Sequence, residues 1–174
     1  PDGRLAVYMG DNQRFEYIYK FVSKNRYRPG NRAANMRLLE EGTLYVARFN
    51  ENGSGDWLAL VHGQNGLTAA NGFADQGEVL VKTRMAADLV GATKMDRPEW
   101  ITADPFTAGS IYCTLTNNSQ RGQEGKPAAD AANPRANNLF GHIIHWQEAD
   151  GDGTKLSFKW DILVLAGNKQ AAKP

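Results

Sequence analysis

Cysteine is all but missing: Cys113 is the single one in 174 residues. A lone thiol excludes an internal disulfide and a cysteine-rich zinc site. It sits in an apolar run, where an inert core thiol is expected rather than a nucleophile or an iron ligand. Histidine is scarce too, at three residues. His142 and His145 have an odd spacing and cannot face one side of a regular strand, which argues against a His-pair metal site. His62 lies in a loop and carries no partner signal. An excess of one charge is lacking: 20 Lys and Arg stand against 19 Asp and Glu, a net charge of +1. No global field therefore points to nucleic acid or to an acidic partner. Lys20, Lys24, Arg26, Arg28 and Arg32 form a local basic stretch, read as a solvated strand end and loop. No apolar run approaches the ~18 residues of a membrane span. The start, Pro1-Asp2-Gly3-Arg4, has no signal-peptide character, and a strand follows at once, so the chain reads as beginning in mid-domain.

What is present is 41% hydrophobic and 10% aromatic residues. That composition suits a single globular domain over 1–174 with a real core. Leu5–Met9 and Phe15–Val22 read as strands around the turn Gly10-Asp11-Asn12. Thr43–Phe49 and Trp57–Val61 follow, around Asn52-Gly53-Ser54-Gly55. Glu99–Ala103 pairs with Ser110–Thr116. Leu139–Glu148 pairs with Lys155–Ala166 around Ala149-Asp150-Gly151-Asp152-Gly153. That turn has acids like a calcium loop but lacks the terminal Glu of an EF-hand, so it is read as a hairpin turn. Asp75 followed by Glu78 is a capping-box pattern. It predicts one inserted helix near 75–90, closed by Gly91, with Val79, Thr83, Ala86 and Val90 on one face. The stretch 118–138 is a long polar loop, of a length usual for function or disorder. The tail 167–174 is expected to fray. Four hairpins and one helix make the fold all-β.

The segment Met95-Asp96-Arg97-Pro98-Glu99-Trp100 carries the most chemistry. A guanidinium offers a rigid fork for phosphate, and carboxylates supply oxygens for hard cations such as Ca²⁺. Pro98 biases Arg97 toward an extended conformation, from which Arg97 and Glu99 would project the same way. Asp96 is expected to cap the turn. On these six residues alone, a surface Arg–Glu pair is the plain alternative.

Longer blocks decide more. Tyr8 to Ser23 (YMGDNQRFEYIYKFVS), Leu39 to Phe49 (LEEGTLYVARF), Thr83 to Trp100 (TRMAADLVGATKMDRPEW), Tyr112 to Asn118 (YCTLTNN) and Gly141 to Trp146 (GHIIHW) resemble, in order, the PhoX-type alkaline phosphatases. The resemblance spans nearly the whole chain. It implies a β-propeller with calcium and iron in its central channel, hydrolysing phosphate esters in the periplasm or outside the cell. It also implies an internal fragment, since family members carry sequence on both sides. A propeller blade takes ~40–45 residues in regular repeat families, so a partial β-propeller of two to three blades is expected. Such an open arc would expose sheet edges, through which a homo-oligomer could form.

By that resemblance Arg97 holds substrate phosphate and acts catalytically, and Glu99 binds a channel metal. Asp11, Glu16 and Asn118 are further metal candidates. Family members carry a second acid where Asn12 stands, which weakens a metal site there. Asp11 could equally be a turn residue, Glu16 a salt-bridged acid, and Asn118 an Asx-turn. The family's iron-binding cysteine belongs to an upstream motif absent here, so iron is not expected in this chain alone. The reading is part of a metal-dependent phosphomonoester hydrolase, with little or no activity by itself. The alternative is a non-catalytic β-rich interaction module that keeps the scaffold.

Overall fold

Alternating apolar and polar residues give strands close to where the sequence places them, though the strands expected from Phe15, Trp57 and Leu139 begin instead at Ile18, Ser54 and His142. The computed structural model describes residues 2–168, so most of the tail expected to fray lies outside the described residues. Within them the strands are β1 Arg4–Gly10, β2 Ile18–Arg26, β3 Gly42–Phe49, β4 Ser54–Ala59, β5 Pro98–Ala103, β6 Ser110–Leu115, β7 His142–Glu148 and β8 Ser157–Leu165. They form one antiparallel sheet in the order β1-β2-β3-β4-β8-β7-β6-β5. β1–β4 and β5–β8 are thus two up-and-down meanders of four strands, the blade unit of a propeller. They join where Ser54–Asp56 of β4 pair with Ser157–Lys159 of β8. At the far end of the order β1 meets β5 again. A Cβ on Gly10 would lie 2.6 Å from the Pro98 carbonyl oxygen. The two edges expected to be open therefore face each other at this point, and the sheet nearly closes.

The two faces of the first meander bury different partners. Ile18, Ala47, Phe49 and Trp57 pack against Ile111, Cys113, Leu115, Ile144, Trp146 and Phe158 of the second. Tyr17, Tyr19, Val46 and Leu60 point away and pack under Leu67, Phe73, Val79, Ala86 and Ala87. This is the period-2 alternation of strands with both faces buried.

The inserted helix forms with its cap in place. Asp75 Oδ1 accepts from the Glu78 amide at 2.9 Å, and the Glu78 carboxylate reaches back to the Ala74 amide at 2.9 Å. A short helical turn, α1 Arg32–Asn35, precedes it. The expected single helix is two, α2 Gln76–Val81 and α3 Thr83–Leu89, with Lys82 between them at φ −96°, ψ 35°. The β-branched residues Val79, Val81 and Thr83 and the early Gly77 hold a straight helix weakly there. The break lets Val79 and the Ala86–Ala87 pair all reach the sheet. Gly91 ends α3 at φ +76°, with Ala92 N–H bonded to Ala87 O at 3.1 Å and Gly91 N–H to Asp88 O at 3.2 Å. That is the Schellman arrangement.

Candidate functional site

Downstream of Gly91 the chain runs to β5 alongside the β1–β2 loop. Phe15 N–H donates to Met95 O and Met95 N–H to Glu16 O, both at 2.9 Å. Arg14 bridges to Asp96. Asp11, Glu16, Arg97 and Glu99 are thereby brought to one end of the meander pair. Arg97 is not extended. It sits at φ +59°, and Phe15, across from Met95, at φ +67°. Left-handed backbone costs an L residue about 1–2 kcal/mol and persists only where surroundings enforce it. The preference set by Pro98 is overridden by the buried contacts of Asp96. Arg97 is half-buried. Its hydrogen bond is to Asn117 Oδ1 at 3.4 Å, and among the described residues it pairs with no carboxylate. The Glu99 side chain is exposed at the start of β5, next to a bulge between Pro98 and Ile101.

Asp11 and Glu16 share a cation that the sequence did not reveal. Arg84, on α3, donates from Nε and Nη2 to Asp11 at 2.8 Å each and lies 3.4 Å from Glu16 Oε2. Burial, reinforced by nearby Asp11 and Asp88, pushes the Glu16 carboxyl above its ordinary range, against the pull of Arg84. Asn118 is fully buried. Its Oδ1 accepts from the Gln120 amide at 3.1 Å, an Asx-turn, and its backbone pairs with Asn138.

Two buried charge clusters also escaped the sequence reading. Lys20, placed above in a solvated basic stretch, has no exposed surface. Its ammonium lies 3.2 Å from Glu148 and 2.6 Å from Lys155 O. Arg121, from the long 118–138 loop, is equally buried and bonded to Asp96 at 2.6 Å. Asp96, expected to cap its turn, instead turns its carboxylate to the side chains of Arg121 and Asn138, as half of a buried ion pair. Alternation could have flagged Lys20 as an inward position of β2. Nothing in the loop's composition singles out Arg121.

Ser110 Oγ lies 3.0 Å from His145 Nε2, and His145 Nδ1 lies 3.1 Å from Asp161. The order resembles a nucleophile relay. Ser110 is only 3% exposed, which denies a substrate carbonyl any approach. Cys113 is buried, and desolvation pushes its thiol up to about 12. Native protein at pH 8 should therefore leave Ellman's reagent unreacted over minutes, and denaturant should release one thiol per chain.

Among the described residues no three His, Cys, Asp or Glu side chains converge as a metal site. With Asp11 and Glu16 facing Arg84, the donors present do not by themselves fit a calcium–iron cluster.

The family model described as Alkaline phosphatase PhoX matches residues 1–174. This chain belongs to the PhoX alkaline phosphatase family. A solved structure of Pseudomonas fluorescens PhoX in complex with vanadate, a transition state analogue, is 50% identical to it, with a TM-score of 0.91. The match covers 96% of this chain and 30% of that one. Among curated proteins nothing matches. The PhoX-family chain thus corresponds to under a third of the Pseudomonas protein, and the partial propeller expected from the sequence is the fold it has.

Proposed function

We propose that this chain supplies the phosphate-gripping part of a metal-dependent phosphomonoester hydrolase. The observation that supports it is Arg97: a half-buried arginine on a left-handed turn, with a long bond to neutral Asn117 and, among the described residues, no carboxylate paired with it. Such a fork is free to take two phosphoryl oxygens and stabilise their charge. The Pseudomonas relative binds vanadate, an anion of that kind. Glu99 is the metal-facing carboxylate in this reading. Asp11, Glu16 and Asn118 are supporting positions, and for Asp11 and Glu16 a metal role requires Arg84 to let go. Calcium and iron are the metals proposed, held with donors from outside this chain, in an exported protein.

The test is p-nitrophenyl phosphate turnover with Ca²⁺. The 174-residue chain alone is expected to show little or none. In a phosphatase carrying this segment, Arg97→Ala should lower kcat/KM about 10²–10³-fold. Turnover that survives Arg97→Ala overturns the assignment. The engagement of Asp11 and Glu16 by Arg84 favours a second reading, a non-catalytic β-rich module. Calcium titration by calorimetry separates the two, since the module should show no carboxylate-dependent binding.

A further inference from the structure

The long loop 118–138 has its own buried centre. Arg121 donates from Nε to Asp96 Oδ1 at 2.6 Å, from Nη2 to Lys94 O at 2.6 Å, and from Nη1 to Ala128 O at 2.8 Å and Asp130 Oδ2 at 3.1 Å. The guanidinium carbon stands 5.3 Å from the centre of the Phe15 ring. Around the same turn, Asn133 Oδ1 accepts from the Asp96 amide at 3.0 Å, and its Nδ2 donates to Lys94 O at 3.0 Å. Asn138 Nδ2 donates to Asp96 Oδ2 at 3.0 Å. It also approaches His142 Nδ1 at 3.3 Å, while His142 Nε2 donates to Ala132 O at 2.8 Å. Asp96, Arg121, Asn133, Asn138 and His142 are all at most 2% exposed.

This cluster grips Lys94 and Asp96, just ahead of the strained turn at Arg97. Asp96 immediately precedes Arg97, and Phe15, also left-handed, lies on the face of Arg121. A network of this kind fixes one geometry, because a buried group freed from it would have neither a protein partner nor water. Those five side chains are buried and take no ligand themselves, and the network reaches the surface at Asp130.

We propose that Arg121 is a positioning residue for Arg97. Through Asp96 it holds the left-handed turn that aims the Arg97 guanidinium at phosphate. This rests on the phosphate-binding reading of Arg97 given above.

The test uses a phosphatase carrying this segment, with vanadate inhibition and p-nitrophenyl phosphate kinetics as readouts. Arg121→Lys keeps the charge but loses the fork. It should weaken vanadate inhibition and lower kcat/KM by up to about 100-fold, the cost of a misplaced binding group. In an Arg97→Ala background the same change should cost almost nothing further, because the guanidinium it positions is gone. A purely structural Arg121 would instead give losses that add. Should Arg121→Lys fail to fold, Asn133→Ala keeps the ion pair, removes one bond to the Asp96 amide, and should give a smaller but equally non-additive loss of about 10-fold. If Arg97→Ala itself leaves vanadate inhibition unchanged, the reading of Arg97 fails and takes this with it. If Arg97→Ala weakens inhibition but the Arg121 and Asn133 variants match the parent or add independently, the positioning role alone is overturned.

Discussion

Replacing Lys20 by Met should destabilise the protein by about 3–5 kcal/mol, the usual cost of stranding a buried charge. The stranded group is Glu148. Its carboxylate accepts from Tyr8 at 2.9 Å, from Trp57 at 3.0 Å and from Trp146 at 3.2 Å, as well as from Lys20. The ammonium also lies 4.5 Å from the Trp57 ring centre. Lys20 and Tyr8 come from the first meander and Trp146 and Glu148 from the second, so this one polar cluster ties the two together inside an aromatic shell. Burial acts on both partners. It pulls the Lys20 ammonium down to about 8 and pushes the Glu148 carboxyl up, each against the attraction between them. Without Lys20 the upward push on Glu148 loses its ionic opponent, and hydrogen bonds such as those from Tyr8 and Trp146 are left to oppose it. The folded state then holds a proton that the unfolded chain releases above its ordinary carboxyl pKa of about 4.3. With fewer protons bound when unfolded, stability must fall as pH rises. Lys20→Met should thus lose far more at pH 8 than at pH 4.5. Glu148→Gln added to it removes the second charge and should restore most of the loss. Thermal unfolding followed by near-ultraviolet circular dichroism reads all three, with a drop of roughly 10 °C expected for the single variant. A single variant within about 1 °C of the parent at pH 8 would show that the pair contributes nothing net.

The fold was largely legible in the sequence, and the reason is local. Each strand carries its own alternation and each turn its own Gly or Asn, so neither needs knowledge of distant residues. Asp75, Glu78 and Gly91 mark both ends of the helical stretch for the same reason. The break at Lys82 was not legible, because it depends on how Val79 and Ala86 meet the sheet. The site was only half legible. Arg97 and Glu99 stand out as residue types, and the family's ordered blocks locate them. The partners of the acids around them lie far off in sequence: Arg84 is 73 residues from Asp11, and Arg121 is 25 from Asp96. No period or spacing signals such a pairing. Local rules also misled twice. The residue before a proline should be extended, yet Arg97 is left-handed, because buried bonds to Asp96 outweigh a preference worth about 1–2 kcal/mol. Lys20 falls in a run of basic residues, but its neighbours in sequence are not its neighbours in space.

Gly141→Ala tests the same corner of the fold from the backbone. Gly141 precedes β7 at φ +74° and lies against the end of β6. A Cβ there would run into the Leu115 carbonyl oxygen and stand 2.5 Å from the Thr116 oxygen and 2.8 Å from its carbonyl carbon. These are backbone atoms, which cannot swing aside as a side chain would. Left-handed geometry costs alanine about 1–2 kcal/mol, and forced overpacking a further ~1–3 kcal/mol. The expected loss is therefore about 2–5 kcal/mol for one added methyl group. Its place makes it more than a stability probe. Gly141 N–H donates to Asn138 Oδ1 at 3.0 Å, and Asn138 in turn holds Asp96. The displaced carbonyl of Thr116 adjoins Asn117, the partner of Arg97, and the Thr116 amide bonds to Arg97 O at 3.2 Å. Relief of the clash must move β6 away from β7, and with it both supports of the Arg97 turn. Hydrogen exchange should accordingly rise first at the amides of Asp96, Thr116 and Asn138, while the amides between β2 and β3, on the other meander, keep their protection. Equal loss of protection across both meanders would mean that the two do not open separately, and that this corner is no more than one part of a single cooperative unit.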